Sequence, residues 1–391
     1  MAVTCHSRSF TWLVKSCLPN PSPDHHHRHL RRGPPPPPPP PSLATLPDDL
    51  LMECLSRVPP SSLPSLSLVS RRFSLLLSSP SFLHLRRRLG HLRPSLHALS
   101  LSADLSLLSS ASHPILPSLP WTLHPPIPLP DSVGPHRLVS LGHVIYAIGR
   151  SSTVRYDTWT RSTSISPGPI HPRKRFAAAE VDGKIYIAGG SARSSAVEEF
   201  DPETDTWRAV SECPRRRYGC VGAASSGGVF YVIGGLKIGR SEDPSRRAHV
   251  YASTIDAYDV RGRVWLRSRG VPGGGCVVGA CGVGSHVYIL CSHAVEMSFW
   301  RWDGGRAWER LGGPPIAGQV GMDGSARFAC VGFGDRTVVI VVVQAGSSRG
   351  GGVSLVYDCE GDEWARGPDL PEVLGRVGCV CVEAWGTGGE L

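Results

Sequence analysis

Residues 177–207 read AAAEVDGKIYIAGGSARSSAVEEFDPETDTW. Val181-Asp182-Gly183 has the chemistry of a tight hairpin turn, and residues 184–188 alternate with the period of a half-buried strand. The glycine pair Gly189-Gly190 follows, a third strand ends in a turn at Phe200-Asp201-Pro202, and Trp207 opens a fourth. Four short antiparallel strands cannot bury both faces alone, so the unit needs copies of itself stacked around an axis.

The copies are present. Gly234-Gly235, Tyr258-Asp259 and Trp265 repeat the pattern, as do Trp302-Asp303 with Trp308 and Tyr357-Asp358 with Trp364. The offset from aspartate to tryptophan is six residues in three copies and five in the copy at Asp303. An earlier copy has Tyr156-Asp157, but Thr163 stands where the tryptophan belongs and Trp159 sits too early. Cys291-Ser292 and Val343-Gln344 replace the glycine pair in the last two copies. From about Leu138 to Pro371 the pattern resembles the kelch-repeat family, whose period of roughly 50 residues builds propeller blades. The recurring residues have structural reasons: glycine allows positive φ and close backbone approach, the aspartate caps a turn, and the tryptophan fills the space between blades. None of them is expected to be a functional site.

The ends supply a further blade. Residues 96–101 read as a strand, Trp121 followed by Leu129-Pro130 resembles a blade ending, and residues 376–383 alternate like a leftover strand. The expected fold is therefore mainly β, a kelch-type propeller in which six blades are favoured, five read directly and one assembled from both termini.

Ahead of the propeller the period changes to 3.6. Pro47 suits a first helical position, Asp48 and Asp49 favour the helix dipole, and Leu50, Leu51, Cys54, Leu55 and Val58 fall on one face. Pro59-Pro60 stops that helix; a second carries Leu63, Leu66, Val69, Phe73 and Leu77 until Pro80; a third covers residues 82–89 and ends at Gly90. Three short helices bury little surface by themselves, so a partner is implied. Leu46-Pro47-Asp48-Asp49-Leu50, then residues 54–59 (CLSRVP), 66–73 (LSLVSRRF) and Ser78-Ser79-Pro80 resemble an F-box, with Phe73 where the family usually has tryptophan and Cys54 where it often has isoleucine. The resemblance implies docking onto a Skp-type adaptor and, through it, a cullin and RING subunit. By position Leu46, Pro47, Leu50, Leu51, Leu55, Val58, Leu66 and Val69 would make the adaptor contact, although on spacing alone some must be intradomain core. The expected domains are a disordered low-complexity arm (1–42), an F-box (43–90) and a propeller (91–391).

Composition narrows the function classes. The chain has 391 residues, a net charge of +9, 44 glycines and 36 prolines. Seven arginines and no acidic residue fall in residues 54–103, so much of the basic excess sits in a helical region and no nucleic-acid partner is expected. The twelve cysteines are scattered without CxxC units, which suggests buried reduced thiols in an intracellular protein. No apolar run approaches the length of a membrane span, so no membrane partner is expected. Eight prolines from Pro34 to Pro41 form a stiff spacer, about 25 Å long. An acid-poor start is also transit-peptide composition, so a plastid is the lesser alternative to nucleus and cytoplasm. His143, His171, His249, His286 and His293 show no metal-ligand spacing, and neither metal nor cofactor is expected.

F-box before kelch repeats resembles the plant F-box/kelch proteins. It implies a non-catalytic substrate receptor of a Skp–cullin–F-box ubiquitin ligase whose propeller captures an unidentified protein. The alternatives are a propeller scaffold without ligase role and a metal-dependent propeller enzyme. Strand parity puts the second-to-third and interblade loops on one face of the ring. Those loops are rich in arginine, so Arg175, Arg193, Arg217, Arg240 and Arg247 are the candidate target contacts, suited to an acidic or phosphorylated segment.

Overall fold

The structure, a computed structural model, describes residues 43–102, 106–116, 119–129, 137–191, 193–225, 227–238, 249–251, 253–293, 296–305, 307–316, 326–344, 352–374 and 377–385. Residues 43–47 hold one 3₁₀ turn, Leu43–Thr45. From Asp48 onward the chain forms four helices and then a ring of six antiparallel sheets.

Blade two shows how the sequence folds. Its strands are Ala177–Val181, Lys184–Ala188, Ala196–Asp201 and Thr206–Glu212, paired in that order from the inside out. Asp182 and Gly183, at φ 50° and 78°, make the tight turn. Gly189 and Gly190 lie at φ 74° and 72°, and a Cβ on Gly190 would come within 2.7 Å of the Lys174 carbonyl oxygen, so both reasons for glycine hold there. Asp201 accepts from the Glu203 amide, as Asp259 does from Arg261 and Gly262. The turn ends on a left-handed residue at Asp205, Arg263 and Asp362. The shorter turn after Asp303 uses Gly304 at φ 83° instead, which accounts for its five-residue offset.

The innermost strands, Arg137–Leu141, Ala177–Val181, Val221–Ser225, Cys276–Val283, Ala326–Phe333 and Val377–Trp385, each lie beside the inner strands of both neighbouring blades and close the ring. Six hydrophobic clusters fill the spaces between adjacent blades. In four of the six blades the fourth-strand tryptophan packs on the aromatic of the third strand and hydrogen-bonds back to the preceding blade. Trp207 sits 5.0 Å from Phe200 and donates to the Pro167 oxygen at 2.9 Å; Trp364 sits 5.0 Å from Tyr357 and donates to the Gly312 oxygen at 2.8 Å. In blade one Thr163 stands opposite Tyr156. Trp159 compensates: it stacks on His143 at 3.7 Å and donates to the Glu383 carbonyl in the closing blade.

That closing blade joins Val377–Trp385 to Leu92–Leu101, then Leu107–His113 and Thr122–Pro128. The two chain ends thus share one sheet, in nine-residue register from Leu92↔Trp385 to Ser100↔Val377.

The helices are α1 Asp48–Ser56, α2 Leu63–Ser67, α3 Arg71–Leu77 and α4 Pro80–Arg88. The second expected helix is divided. Ser70, extended at φ −159°, ψ 156°, accepts from the Phe73 amide at 3.2 Å and starts α3 as an N-cap, so the chain leaves the helix at Leu68-Val69. Ser79 does the same for α4, which places Pro80 in its first turn. Leu51, Leu55, Leu63, Phe73, Leu77 and Phe82 form the small core. Buried Arg86 reaches from α4 to the carbonyls of Ser56 and Val58, at 2.9 and 2.7 Å, and satisfies the end of α1.

Candidate adaptor-binding and target-binding faces

The division at Ser70 decides which apolar side chains are available to a partner. Leu68 and Val69 are 86% and 65% exposed, Leu75 of α3 is 63% exposed, and Leu50 of α1 is 51% exposed. Arg72 donates to Asp48 through Nε and Nη2, at 2.8 and 2.6 Å, which holds the first turn of α1 beside the first turn of α3. Leu50, Leu68 and Val69 therefore share one end of the helical unit.

Of the residues expected to meet an adaptor, Leu50, Val69 and Pro47 are exposed, while Leu46, Val58 and Leu66 are half-buried. Leu51 and Leu55 are not available: they are 1% and 4% exposed and belong to the core. The α1 face that spacing groups together splits because α3 and α4 pack against one side of it. Leu68 and Leu75 are exposed apolar side chains that spacing did not single out. Helical periodicity across residues 63–77 treats Leu68 as an ordinary helix position, and only the cap at Ser70 reveals its exposure.

The helices attach to the face of the ring that carries the first-to-second and third-to-fourth loops. Gly90, at φ 71°, ends α4, and the first strand begins at Leu92. Arg87 forms a two-pronged ion pair with Glu383 at the end of the closing strand, and this bond raises the Arg87 pKa above its usual value. Exposed acids gather in the loops of this same face, among them Glu203, Asp205, Glu360 and Asp362. Arg261 bridges to Asp182 here, and Arg336 to Glu360.

On the opposite face the five candidate arginines divide. Arg175 and Arg193 are exposed in loops of blades one to three. Arg240 and Arg247 lie outside the described residues. Arg217 is 1% exposed and is a structural residue: it bonds to the carbonyls of Gly234 and Thr254 and to the carboxylate of Asp256. Arg215 holds the other oxygen of Asp256 at 2.6 Å. Arg173 repeats the arrangement one blade earlier, bonding to Gly189 O, Ala196 O and Glu198 at 2.6 Å, with both side chains of the ion pair fully buried. These pairs clamp each interblade loop to the next blade. In the sequence the only mark of these pairs is on the acid side: Glu198 and Asp256 each fall three residues before the turn aspartate of their strand.

The thiols are held protonated. Burial pushes Cys213, Cys291 and Cys379 up to about 12 and Cys381 up to about 11. All ten cysteines among the described residues are free. No group of three or more His, Cys, Asp or Glu side chains placed to hold a metal occurs among the described residues, nor does any helix long and apolar enough to cross a membrane.

Sequence comparison finds a known family motif in each of the two parts. The F-box domain model matches residues 43–85, and the Kelch motif model matches residues 172–214. The F-box/kelch-repeat protein At5g26960 of Arabidopsis thaliana is 46% identical over 420 aligned residues, covering 98% of this chain and 100% of the relative. The chain belongs to the plant F-box/kelch-repeat family. More distant F-box/kelch members from the same plant, At1g67480 and At4g39560, are 31% and 35% identical over 49% and 43% of the chain, spanning 54% and 68% of their own lengths. F-box/kelch proteins are typically non-catalytic adaptors, and a helical F-box joined to a kelch propeller fits, in general, a receptor that binds a Skp-type adaptor and a protein target.

Proposed function

We propose that the protein is the substrate-recognition subunit of a Skp–cullin–F-box ubiquitin ligase, with Leu50, Leu68, Val69 and Leu75 meeting the Skp-type adaptor and the propeller holding the protein to be ubiquitinated. The observation that carries this reading is the exposure of four large apolar side chains on a helical unit whose own core is complete without them. Exposed leucines of this kind on so small a unit mark a protein–protein contact. The propeller performs no bond chemistry in this reading; it supplies proximity between the target and the recruited ubiquitin-charged enzyme. Such a role belongs in the nucleus or cytoplasm. A fluorescent fusion of the whole chain that accumulates in plastids would contradict it.

The test is co-purification of a Skp-type adaptor with the full chain. Leu68→Arg with Val69→Arg places two charges in the apolar contact and should abolish co-purification, while the propeller melts as before. Retained adaptor in that variant removes the ligase reading. Leu55→Arg is unsuitable for this purpose, because Leu55 is core and its loss would unfold the helices.

A further inference from the structure

Arg150, Lys174, Arg175, Arg193 and Arg216 are exposed on the second-to-third and interblade loops of blades one to three, with no carboxylate partner among the described residues. The loops that carry them are tied together. Lys174 N–H donates to Gly190 O at 2.9 Å, Gly190 N–H to Arg217 O at 2.8 Å, and Gly219 N–H to Arg175 O at 2.8 Å. Arg175 is held at φ 55° within this ladder, a conformation that a non-glycine residue keeps only where its surroundings impose it. Beside it Arg137, which opens the inner strand of blade one, spends Nε and Nη2 on the carbonyls of Phe176 and Cys220, at 2.9 and 3.2 Å. It too faces no carboxylate among the described residues, and burial, reinforced by the Arg175 charge, lowers its pKa. The buried acids beside this rim, Glu198 and Asp256, are already committed to Arg173, Arg215 and Arg217, and the exposed Glu212 at the end of blade two's fourth strand accepts from the Ser195 hydroxyl and pairs with none of these cations.

The rim is therefore a pre-organised crescent of uncompensated cations around the channel mouth, on the side of the ring away from the helices. Its charges come from separate second-to-third and interblade loops of blades one to three. A single phosphate would use one or two of them, whereas carboxylates spaced along an extended chain can meet them in turn. We infer that this crescent is the target-reading surface and that it takes an extended, unphosphorylated Asp/Glu-rich segment of the target protein. The inference rests on the receptor reading above and names the class of target that reading leaves open.

The test uses the full chain and a fluorescein-labelled peptide of alternating Glu and Gly, read by anisotropy. Its Gln counterpart, a Gly-Ser peptide bearing one phosphoserine, and an oligodeoxythymidylate of equal charge are the comparison probes. The Glu peptide should bind best, and more weakly as salt rises. Lys174→Ser with Arg175→Asn and Arg216→Ser should weaken it roughly tenfold, asparagine being tolerant of the left-handed backbone at position 175. Arg261→Ser with Arg263→Ser on the other face should change nothing. Should the triple variant melt below the parent, Arg216→Ser alone must still weaken binding about twofold. Unchanged affinity in a normally folded triple variant, or tighter binding of the phosphopeptide or the oligonucleotide, overturns the inference. Adaptor co-purification is measured on the same samples: adaptor retained without peptide binding sinks this inference alone, and adaptor lost with peptide binding intact sinks only the ligase reading.

Discussion

Two arginines two residues apart in one loop have opposite fates, and their surroundings say what each substitution should do. Arg173 is sealed against Glu198 and two carbonyls, so Arg173→Met leaves a buried carboxylate with only His171 and backbone amides, and denaturant titration should show a loss of about 3 kcal/mol. Arg217→Met should cost less than that, since Arg215 still holds Asp256. Arg175→Asn should shift stability by less than about 0.5 kcal/mol. Gly190→Ala is the harsher test of the loop ladder. Its Cβ would meet Lys174 O at 2.7 Å and Phe176 Cβ at 2.8 Å from a φ of 72°, and a loss of at least about 2 kcal/mol is expected. Sequence position alone could not separate Arg173 and Arg217 from their neighbours, because a basic residue after an interblade proline reads as a solvated turn wherever its partner is out of sight. The partner carboxylate lies on another strand, far along the chain.

At the scale of single elements, the repeat was legible because its period is enforced by the fold: in four of the six blades a turn aspartate and a tryptophan staple recur where the third strand meets the fourth. The helices were less so. Apolar spacing locates the helices, but the side on which α3 and α4 pack decides that Leu51 is core while Leu50 is exposed. Ser70→Ala removes the N-cap of α3 and should lower the stability of the helical unit by about 1 kcal/mol. It should also weaken the adaptor complex if the turn presents Leu68 and Val69. Another element carries a pH dependence. In the closing blade His97 is 4% exposed, and burial, with His124 second, pulls its pKa down to about 3. The folded ring therefore stays neutral, whereas in the unfolded chain it takes up a proton below its ordinary pKa of about 6.5. The stability due to this difference is intact above that pH and falls as the pH drops toward 3, by at most about 1.4 kcal/mol per pH unit. Neither ring nitrogen of His97 has a hydrogen-bond partner among the described residues. His97→Leu should flatten the acid limb of a melting-temperature profile without loss at neutral pH.

For the whole molecule, six interblade clusters mean that no blade has a core of its own, so the ring stands or falls as a unit. Deleting residues 377–391 should abolish cooperative melting of the propeller, since it exposes the edge of Leu92–Leu101 and strips the clusters on both sides of the closing blade. The closure was legible from residues 376–383 because their alternation had no partner nearby, and a ring gives such a strand one place to go. The side on which the helices sit was not, since it depends on Leu92 pairing with Trp385 in an antiparallel register. That pairing also sets an order of events during synthesis. The helices leave the ribosome before the ring, and the strand beside them, paired on one side with Leu107–His113, keeps its other edge open until five further blades have been made. A nascent chain can thus offer its adaptor-facing end well before it has a ring with which to hold a target. For all of that interval the naked edge of Leu92–Leu101 is the segment most in need of a chaperone.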